Sequence, residues 1–191
     1  RLKHIDIMKN LISKKLLSKV RNENLNESVK MFSQAEEKRK RAKYSFETSV
    51  FLSHKHDEKE IIKQAITLLN KLGVSVYVDW LDSGMPKYTD GSTAKRIKDK
   101  IRQNDKFILL ATESAINSKW CNWELGYGDA YKYSKDIAIM PITENEDNSF
   151  SGSEYLQIYP VITSEYFYTT GTYYVEFAGQ KTKLEDWLKQ K

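Results

Sequence analysis

Apolar and polar positions change their spacing along this chain, and the change predicts its secondary structure. From residue 46 onward, short apolar runs alternate with longer stretches in which apolar residues recur at the helical period. The apolar runs predict strands at 49–53, 74–78, 106–111 and 137–142. The helical spacing predicts helices at 58–72, 93–102 and 118–133. Strands and helices that alternate in this way indicate an α/β fold, with an open, mostly parallel sheet and helices on both faces.

The pattern becomes less regular beyond the fourth predicted strand. Residues 145–152 have the composition of a loop. Aromatic residues at 161–168 and 173–177 predict two further strands around a turn at Gly171. Helical spacing returns at the end of the chain and predicts a closing helix at 183–189.

Residues 1–44 differ from the rest in charge and spacing. Their apolar residues recur near the helical period between lysines, which predicts one helix up to Val20 and a second from Asn26 to Arg41. Residues 1–44 hold 13 Lys and Arg against 5 Asp and Glu, whereas residues 45–191 hold 18 against 21. We therefore predict a basic amphipathic helical arm or linker at 1–44, a hairpin or docking segment, followed by one domain at 45–191.

The charge of the arm raises the question of its partner. A basic amphipathic stretch is also typical of nucleic-acid or membrane-surface binding. Few aromatic residues are interleaved with the lysines, so the pattern favours solvated charge, and we expect neither nucleic acid nor a membrane as a partner. No apolar run in the sequence approaches the roughly 18 residues of a membrane span.

Cysteine usage and the first residue bear on location. The single Cys121 excludes an intrachain disulfide and suits a reducing compartment. We therefore expect a cytoplasmic location. The chain begins at Arg1 rather than Met, which is typical of a piece of a longer protein, so secretion as an effector and an upstream sensor or effector domain both stay open.

The segment Ser118–Leu125 carries the most informative pair of side chains. As a helix, it places Trp120 and Glu124 one turn apart on a single face. A carboxylate beside a stacking ring suits the cleavage of a nucleoside-type bond, because the ring presses on a flat base while the carboxylate reaches the adjoining sugar. A half-buried amphipathic helix with a solvated glutamate has the same sequence pattern, so both interpretations stay open at this point.

The predicted sheet brings this helix close to a polar loop. In open parallel sheets, ligands bind outside the carboxyl ends of the strands, where the strand order reverses. We predict the flavodoxin-like order 2-1-3-4-5, in which the first and third strands flank that crevice. The loop at 53–57 follows the first strand, and the segment after the third leads into Trp120 and Glu124. The loop at 53–57 and the side chains of Trp120 and Glu124 are therefore expected at the crevice.

Other chemistries have weaker support in the sequence. His54 and His56, followed by Asp57, hint at a metal site, but no further His or Cys cluster completes a ligand set. We therefore predict no metal. The chain contains neither a GxGxxG motif nor a phosphate-binding GxxxxGKS or GxxxxGKT motif. No set of serine, histidine and aspartate suggests hydrolysis by an activated serine.

Three motifs together resemble those of the Toll/interleukin-1 receptor (TIR) domains. Ser49–Ser53 resembles the first-strand signature of that family, and Val76–Asp79 followed by Leu81–Gly84 resembles the second strand and the BB loop. Ser118–Leu125 is similar to the third-helix motif of plant and bacterial members. The motifs occur in the family's order, and the resemblance covers residues 46–191. It points to the bacterial, NAD-cleaving type.

That resemblance implies an enzyme that breaks the bond between nicotinamide and ribose in NAD⁺, with Glu124 as the essential glutamate. The departing ribose develops oxocarbenium charge, as in glycoside cleavage, and a placed carboxylate stabilises that charge. NAD⁺ is then the substrate, no cofactor is expected, and the products are nicotinamide and ADP-ribose or a cyclic ADP-ribose isomer. The implied role is bacterial antiphage defence signalling. The alternative is a non-catalytic module that acts only by assembly with other TIR domains.

The resemblance also implies a substrate-binding set around the glutamate. Trp120 is expected to stack on a ring of the dinucleotide, and Ser53 to meet ribose or phosphate, unless its hydroxyl bonds its own backbone. His54, Lys55 and His56 replace the aromatic and basic residues found there in some relatives, so Lys55 is a candidate partner of the diphosphate. Phe51 faces either this pocket or the core.

A second implied set belongs to the BB loop, which in the family mediates assembly and gates the pocket. Its members here are Asp79, Asp82, Gly84 and Pro86. Gly84 permits positive φ, and Pro86 stiffens the chain that follows. An ordinary surface loop is the alternative. With this set the resemblance implies self-association through contacts between TIR domains.

Overall fold

The computed structural model describes residues 11–20, 48–85, 91–132, 134–144, 154–167 and 170–190. The strands in these residues are β1 (Ile12–Ser13), β2 (Ser49–Ser53), β3 (Ser75–Tyr77), β4 (Lys106–Ala111), β5 (Ile137–Thr143), β6 (Val161–Phe167), β7 (Thr170–Phe177) and β8 (Gln180–Lys183). The α-helices are α1 (Lys14–Ser18), α2 (Lys59–Lys71), α3 (Gly91–Gln103), α4 (Glu113–Ile116), α5 (Lys119–Tyr131) and α6 (Leu184–Lys189). Short 3-10 helices lie at Asp79–Leu81, Ser134–Asp136 and Glu154–Ile158.

The eight strands form one sheet in the order β3-β2-β4-β5-β6-β7-β8, and β1 pairs with β5. The pairs from β3 to β6 are parallel, whereas β7 and β8 add antiparallel strands at one edge. The first five strands of this path have the predicted order 2-1-3-4-5. The prediction of an α/β fold with a flavodoxin-like sheet is therefore confirmed.

Helices cover both faces of the sheet, and the core has two apolar layers. Every residue of β4 and β5 is buried, as expected for interior parallel strands. One layer joins the sheet to α1, α2 and α6, and the other joins it to α3, α4 and α5. The sequence therefore predicts these interior strands well, because an uninterrupted apolar run needs cover on both sides.

Successive side chains of β2 point to opposite faces of the sheet, and this alternation decides which of them face the candidate site described below. Val50 and Leu52 belong to the layer shared with α2. Phe51 points to the opposite layer, where it packs beside Phe107. Ser53 lies two residues beyond Phe51 and therefore on the same face, at the carboxyl end of the strand. This alternation places a buried hydroxyl beneath the layer of α3 and α5.

The described part of the arm packs on the domain rather than apart from it. Ile12 pairs with Ile142 in β5, and the Oγ of Ser13 caps α1 by accepting from the N–H of Leu16 at 3.0 Å. The prediction of a helix through residue 12 is wrong, because Ile12 is buried by strand pairing, which a helical period does not reveal. The second predicted arm helix lies outside the described residues, and the boundary between 1–44 and 45–191 stays a prediction.

Two further expectations need correction near the end of the chain. Gly171 lies within β7, paired with Tyr166, so the predicted turn at this glycine is wrong. Strand β8 was not predicted. It follows a tight turn in which Ala178 and Gly179 have φ values of 49° and 78°, and its residues are largely exposed, so no apolar run marks it.

None of the described helices has the length and apolar character needed to span a membrane.

Candidate active site

A cleft of about 180 Å³ opens at the carboxyl ends of β2 and β3, under the cover of α3 and α5. Its position agrees with the rule that ligands bind at this edge of an open parallel sheet, where the strand order reverses. The cleft combines two acidic side chains with aromatic, apolar and imidazole groups. Its lining residues are His56, Asp79, Met85, Thr93, Ile97, Trp120 and Glu124.

Helix α5 presents an indole and a carboxylate to this cleft. The helix begins after Ser118, whose Oγ accepts a hydrogen bond from the N–H of Cys121 at 3.4 Å. Trp120 is 37% exposed, and Trp123 supports its ring edge-on at a centroid distance of 5.0 Å. Glu124, one turn further on, is only 6% exposed. The interpretation of Glu124 as a solvated glutamate is therefore wrong.

Among the described residues, Ser53 is the hydrogen-bond donor to the carboxylate of Glu124. The Oγ of Ser53 donates to Oε2 of Glu124 at 2.6 Å. Burial raises the pKa of Glu124 to about 8, against the hydrogen bond from Ser53, which lowers it. The nearby charge of Asp79 raises the pKa further, and His56 lowers it. The cleft therefore holds a carboxyl group that changes its charge near neutral pH.

Two histidines and an aspartate form a second cluster in the wall of the cleft. The Nε2 of His56 lies 2.8 Å from Oδ2 of Asp79, and the Nε2 of His54 lies 3.4 Å from Oδ1 of the same carboxylate. The Nδ1 of His54 faces the carbonyl of Leu52 at 2.8 Å. Asp79 thus joins the loop after β2 to the loop after β3.

The environment moves the pKa of each member of this cluster. Burial lowers the pKa of His54, although the charge of Asp79 acts in the opposite direction. The hydrogen bond to Asp79 raises the pKa of His56. Burial alone would raise the pKa of Asp79, but the His56 hydrogen bond and the charges of both histidines outweigh it and lower that pKa. Asp79 is therefore ionised under ordinary conditions, and it is the acidic neighbour of Glu124.

The loop after β3 is held by a buried aspartate. Asp82 accepts from the hydroxyl of Tyr77 at 2.7 Å, from Nε of Arg96 at 2.8 Å and from the N–H of Gly84 at 3.0 Å. Burial raises the pKa of Asp82, but these partners, Arg96 first, lower it to about 2. These hydrogen bonds form a clamp on Asp82 that occupies both of its carboxylate oxygens. The clamp fixes the loop that places Met85 at the cleft.

Gly84 has a spatial rather than a conformational role. Its φ does not lie in the left-handed region, where among the described glycines only Gly73 and Gly179 are found. The reason for a glycine is instead the guanidinium of Arg96, which a Cβ at Gly84 would overlap. Pro86 lies outside the described residues.

The structure brings some of the predicted site residues together and separates others. Trp120 and Glu124 line the cleft, and Ser53, which is 1% exposed, reaches it only through Glu124. Phe51 is stacked in the core between the rings of Tyr77 and Phe107. Lys55 is half-buried and does not line the cleft. The roles in substrate binding stay predictions for all of these residues.

Sequence reasoning did not place His56 or Asp79 among the cleft residues. Asp79 was expected in the assembly loop, and that role stays a prediction; the structure adds that its carboxylate lines the cleft beside Glu124. One signal was available, because Asp79 follows a strand that neighbours β2 in the predicted order, and parallel neighbours end at the same edge. The expectation of no metal considered only local ligands, whereas His54, His56 and Asp79 place one ligand atom each within 4.8 Å of one another.

A larger cavity, of about 300 Å³, lies beside another part of α5. It is lined by Asn122, Leu125, Gly126, Tyr155 and Tyr159. No carboxylate or imidazole group is among these residues, and Glu124 does not line it. Size alone would favour this cavity, but the chemistry favours the smaller cleft.

Comparison with known proteins gives one family and three relatives. The profile of the TIR domain matches residues 50–167. A probable 3′ cyclic ADP-D-ribose synthase of Bacillus cereus (strain MSX-D12) is 33% identical over 119 residues, which cover 59% of this chain and 59% of that protein. A putative cyclic ADP-D-ribose synthase of Cytobacillus dafuensis is 33% identical over 81 residues, or 41% of this chain and 21% of that protein. A probable 2′ cyclic ADP-D-ribose synthase of Methanobrevibacter olleyae is 31% identical over 111 residues, or 56% and 31%. The chain thus spans between 21% and 59% of the length of these relatives.

Proposed function

Because the chain belongs to the TIR domain family, we propose that it is an NAD⁺ nucleosidase, which cleaves the bond between nicotinamide and ribose. Its products are nicotinamide and ADP-ribose or a cyclic ADP-ribose isomer. The three relatives are named as probable or putative cyclic ADP-D-ribose synthases, which supports the cyclic product. The single observation that carries the proposal is the buried carboxylate of Glu124, held by Ser53 in a cleft that Trp120 also lines.

The chemistry of the reaction matches this arrangement. When the glycosidic bond breaks, its electron pair leaves with the nicotinamide nitrogen, which neutralises the ring, so the leaving group needs no acid. The ribose carbon becomes electron-poor and then accepts a water oxygen or a hydroxyl group of the same molecule, which loses a proton. A fixed carboxylate next to this carbon stabilises the oxocarbenium charge in a site from which water is largely excluded.

The raised pKa of Glu124 fits a site for a cationic substrate. With a pKa of about 8, the carboxyl group is mainly protonated in the free protein near neutral pH. A positive nicotinamide ring in the cleft favours the ionised form and lowers that pKa. Substrate binding thus creates the charge that the transition state uses.

The indole of Trp120 completes the binding surface. It is partly exposed, it lines the cleft, and Trp123 fixes its ring from the side. An aromatic face in this position stacks on a planar ring of the dinucleotide, which orients the sugar towards Glu124.

A module that only assembles with other TIR domains explains less of the cleft. Burying a carboxyl group costs stability, and assembly alone gives no reason for that cost. Self-association, a sensor or effector domain upstream, a cytoplasmic location and a role in antiphage defence stay predictions from the resemblance and the composition.

The proposal is tested by incubating the purified chain with NAD⁺ at high protein concentration. Chromatography and mass spectrometry then resolve nicotinamide, ADP-ribose and cyclic isomers, which are lighter than ADP-ribose by one water molecule. We expect nicotinamide together with one of these products. Folded protein that releases no nicotinamide at any concentration would instead support the assembly module.

A further inference from the structure

Two buried acceptor atoms face each other in the wall of the cleft. The Nδ1 of His54 lies 2.8 Å from the carbonyl oxygen of Leu52. A carbonyl oxygen only accepts, so Nδ1 carries the ring proton and the lone pair of the neutral imidazole is on Nε2. The Nε2 atom lies 3.4 Å from Oδ1 of Asp79. Neither atom has a hydrogen-bond partner within the described residues.

This arrangement is unfavourable unless a proton on Nε2 or a metal ion lies between the two atoms. A buried polar atom without a partner is destabilising, and here two of them repel each other. The His54 side chain is 2% exposed and the Asp79 side chain is 10% exposed, so bulk water relieves little of this cost. The pair therefore has the electrostatic character of a cation site.

His56 supplies a third ligand atom. Its Nε2 lies 2.8 Å from Oδ2 of Asp79, and its side chain is 57% exposed, so no buried packing fixes the outer part of the ring. Ligand atoms at zinc-bond lengths of about 2.0–2.1 Å stand roughly 3.3 Å apart around a tetrahedral ion. The His54 to Asp79 distance already has this value, and all three atoms lie within 4.8 Å. A small rotation of the exposed His56 ring completes the set of three ligand atoms.

The groups around these ligands also resemble a metal site. A metal-bound histidine usually donates its other ring N–H to a carbonyl or carboxylate, which fixes the tautomer. The carbonyl of Leu52 does this for His54. One of the three ligands is therefore oriented before any ion arrives.

We propose that His54, His56 and Asp79 bind a divalent transition-metal ion of the zinc class, with a fourth position open to the cleft. Two imidazole nitrogens and one carboxylate oxygen suit zinc better than magnesium or calcium, which prefer oxygen ligands alone. The three ligands come from loops after two neighbouring strands, so the ion also ties these loops together.

The consequence for activity rests on the proposed function. A bound ion adds two positive charges to the wall that also contains Glu124. The carboxylate of Asp79 becomes one of its ligands. The nicotinamide end of NAD⁺ is itself cationic, so the ion repels it. Metal binding therefore inhibits NAD⁺ cleavage, and a chelator restores it.

Binding is tested directly, without reference to catalysis. The full chain is treated with a chelator, dialysed and titrated with Zn²⁺ by calorimetry, and with Co²⁺ while the visible absorption of a tetrahedral cobalt centre is recorded. We expect one ion per chain. The affinity should fall at least tenfold in His56→Ala and in Asp79→Asn, with circular dichroism to show that both variants are folded.

The matched control uses the remaining histidine of the chain, His4. His4→Ala should bind zinc like the parent. The proposal is overturned if the parent binds no ion, if His56→Ala and Asp79→Asn bind as tightly as the parent, or if His4→Ala abolishes binding.

The two proposals fail in distinguishable ways. Calorimetry and cobalt absorption report the ion whether or not the chain cleaves NAD⁺. If the parent cleaves NAD⁺ and binds zinc, inhibition should appear over the same concentrations as binding and should weaken at least tenfold in His56→Ala. Full activity with zinc bound would overturn the inhibitory role and leave the proposed function intact.

Discussion

The Oγ of Ser53 donates a 2.6 Å hydrogen bond to Oε2 of Glu124, linking the last residue of β2 to the second turn of α5. Both side chains are buried, so the hydroxyl has little contact with solvent and serves mainly to hold the carboxylate. The bond favours the ionised form of a group whose pKa burial raises to about 8. Ser53 is therefore expected to control the charge of Glu124.

Replacing Ser53 by alanine should move the pH dependence of activity. Loss of the hydrogen bond removes a stabiliser of the carboxylate, so the pKa of Glu124 rises further. A bond to a charged group contributes about 1.5–3 kcal/mol, or roughly one to two pH units. The profile of kcat/KM for NAD⁺ cleavage, measured between about pH 6 and pH 10, should shift upward by this amount.

Ser49→Ala is the matched control for this experiment. Ser49 is the first residue of the same strand, and its Oγ donates to Asp105 at 2.9 Å, far from the cleft. Its profile should coincide with that of the parent. An unchanged profile in Ser53→Ala would contradict the role assigned to this hydrogen bond.

The same carboxyl group should make stability depend on pH. The pKa of Glu124 in the folded protein, about 8, lies above its ordinary value of 4.5. The folded state therefore binds the proton more tightly than the unfolded state, and the free energy of unfolding falls as pH rises from about 4.5 to about 8. Glu124→Gln has no carboxyl group that titrates at this position, so this decrease is absent. Above about pH 8 its free energy of unfolding should exceed that of the parent by on the order of a few kcal/mol.

Thermal unfolding of both proteins across this pH range provides the measurement. The difference in Tm between Glu124→Gln and the parent should grow steadily up to about pH 8 and then level off. A constant difference across the range would mean that Glu124 is not the group that titrates.

The part of this site that the sequence predicts is the part encoded by local spacing. Trp120 and Glu124 are four residues apart on one helix, so their proximity follows from helical geometry alone. The interior strands are likewise visible as apolar runs, whereas the strand order 2-1-3-4-5 is predicted only as a common one for open sheets of alternating strands and helices. Ser53 was placed at the correct edge because it ends the first of these strands.

The contacts made by Asp79 and Gly84 could not be predicted in this way. Asp79 meets His56 across 23 positions of sequence, and no local period encodes which side chain crosses from one loop to another. Gly84 suggested positive φ, which is the usual reason for a loop glycine, whereas the actual reason is the guanidinium of Arg96 from α3. Ile12 was missed similarly, since a two-residue strand has no detectable period.

A methyl group at Gly84 should weaken the clamp on Asp82. The new Cβ would overlap the guanidinium of Arg96. As the end of a flexible side chain, this guanidinium can shift, but the shift weakens its hydrogen bonds of 2.8 Å and 2.5 Å to Asp82. We expect Gly84→Ala to lower the free energy of unfolding by roughly 0.5–1.5 kcal/mol, measured by urea denaturation.

Gly126→Ala is the control, because it adds the same group where no atom lies within 4 Å. Gly126 is an exposed residue inside α5, so alanine should raise the free energy of unfolding by up to about 1 kcal/mol. Equal effects at both glycines would refute the steric explanation.

Removal of the indole in the cleft should impair substrate binding. In Trp120→Ala the stacking surface is lost while Glu124 and Ser53 keep their contacts, so KM for NAD⁺ should rise about tenfold, the effect of roughly 1.4 kcal/mol. Tyr131→Ala removes an exposed aromatic ring from the end of the same helix, outside the cleft. Steady-state kinetics should show a normal KM for this control, and a normal KM in Trp120→Ala would exclude stacking on the substrate.

The central claim is that the buried carboxylate of Glu124 stabilises the charge that develops when NAD⁺ loses nicotinamide. It is tested most directly by the rate of nicotinamide release from the parent and from Glu124→Gln, which keeps the shape of the side chain and an oxygen that accepts from Ser53. We predict that the variant is folded and at least about 100-fold slower in kcat. A folded Glu124→Gln protein that releases nicotinamide at the parent's rate would contradict the account.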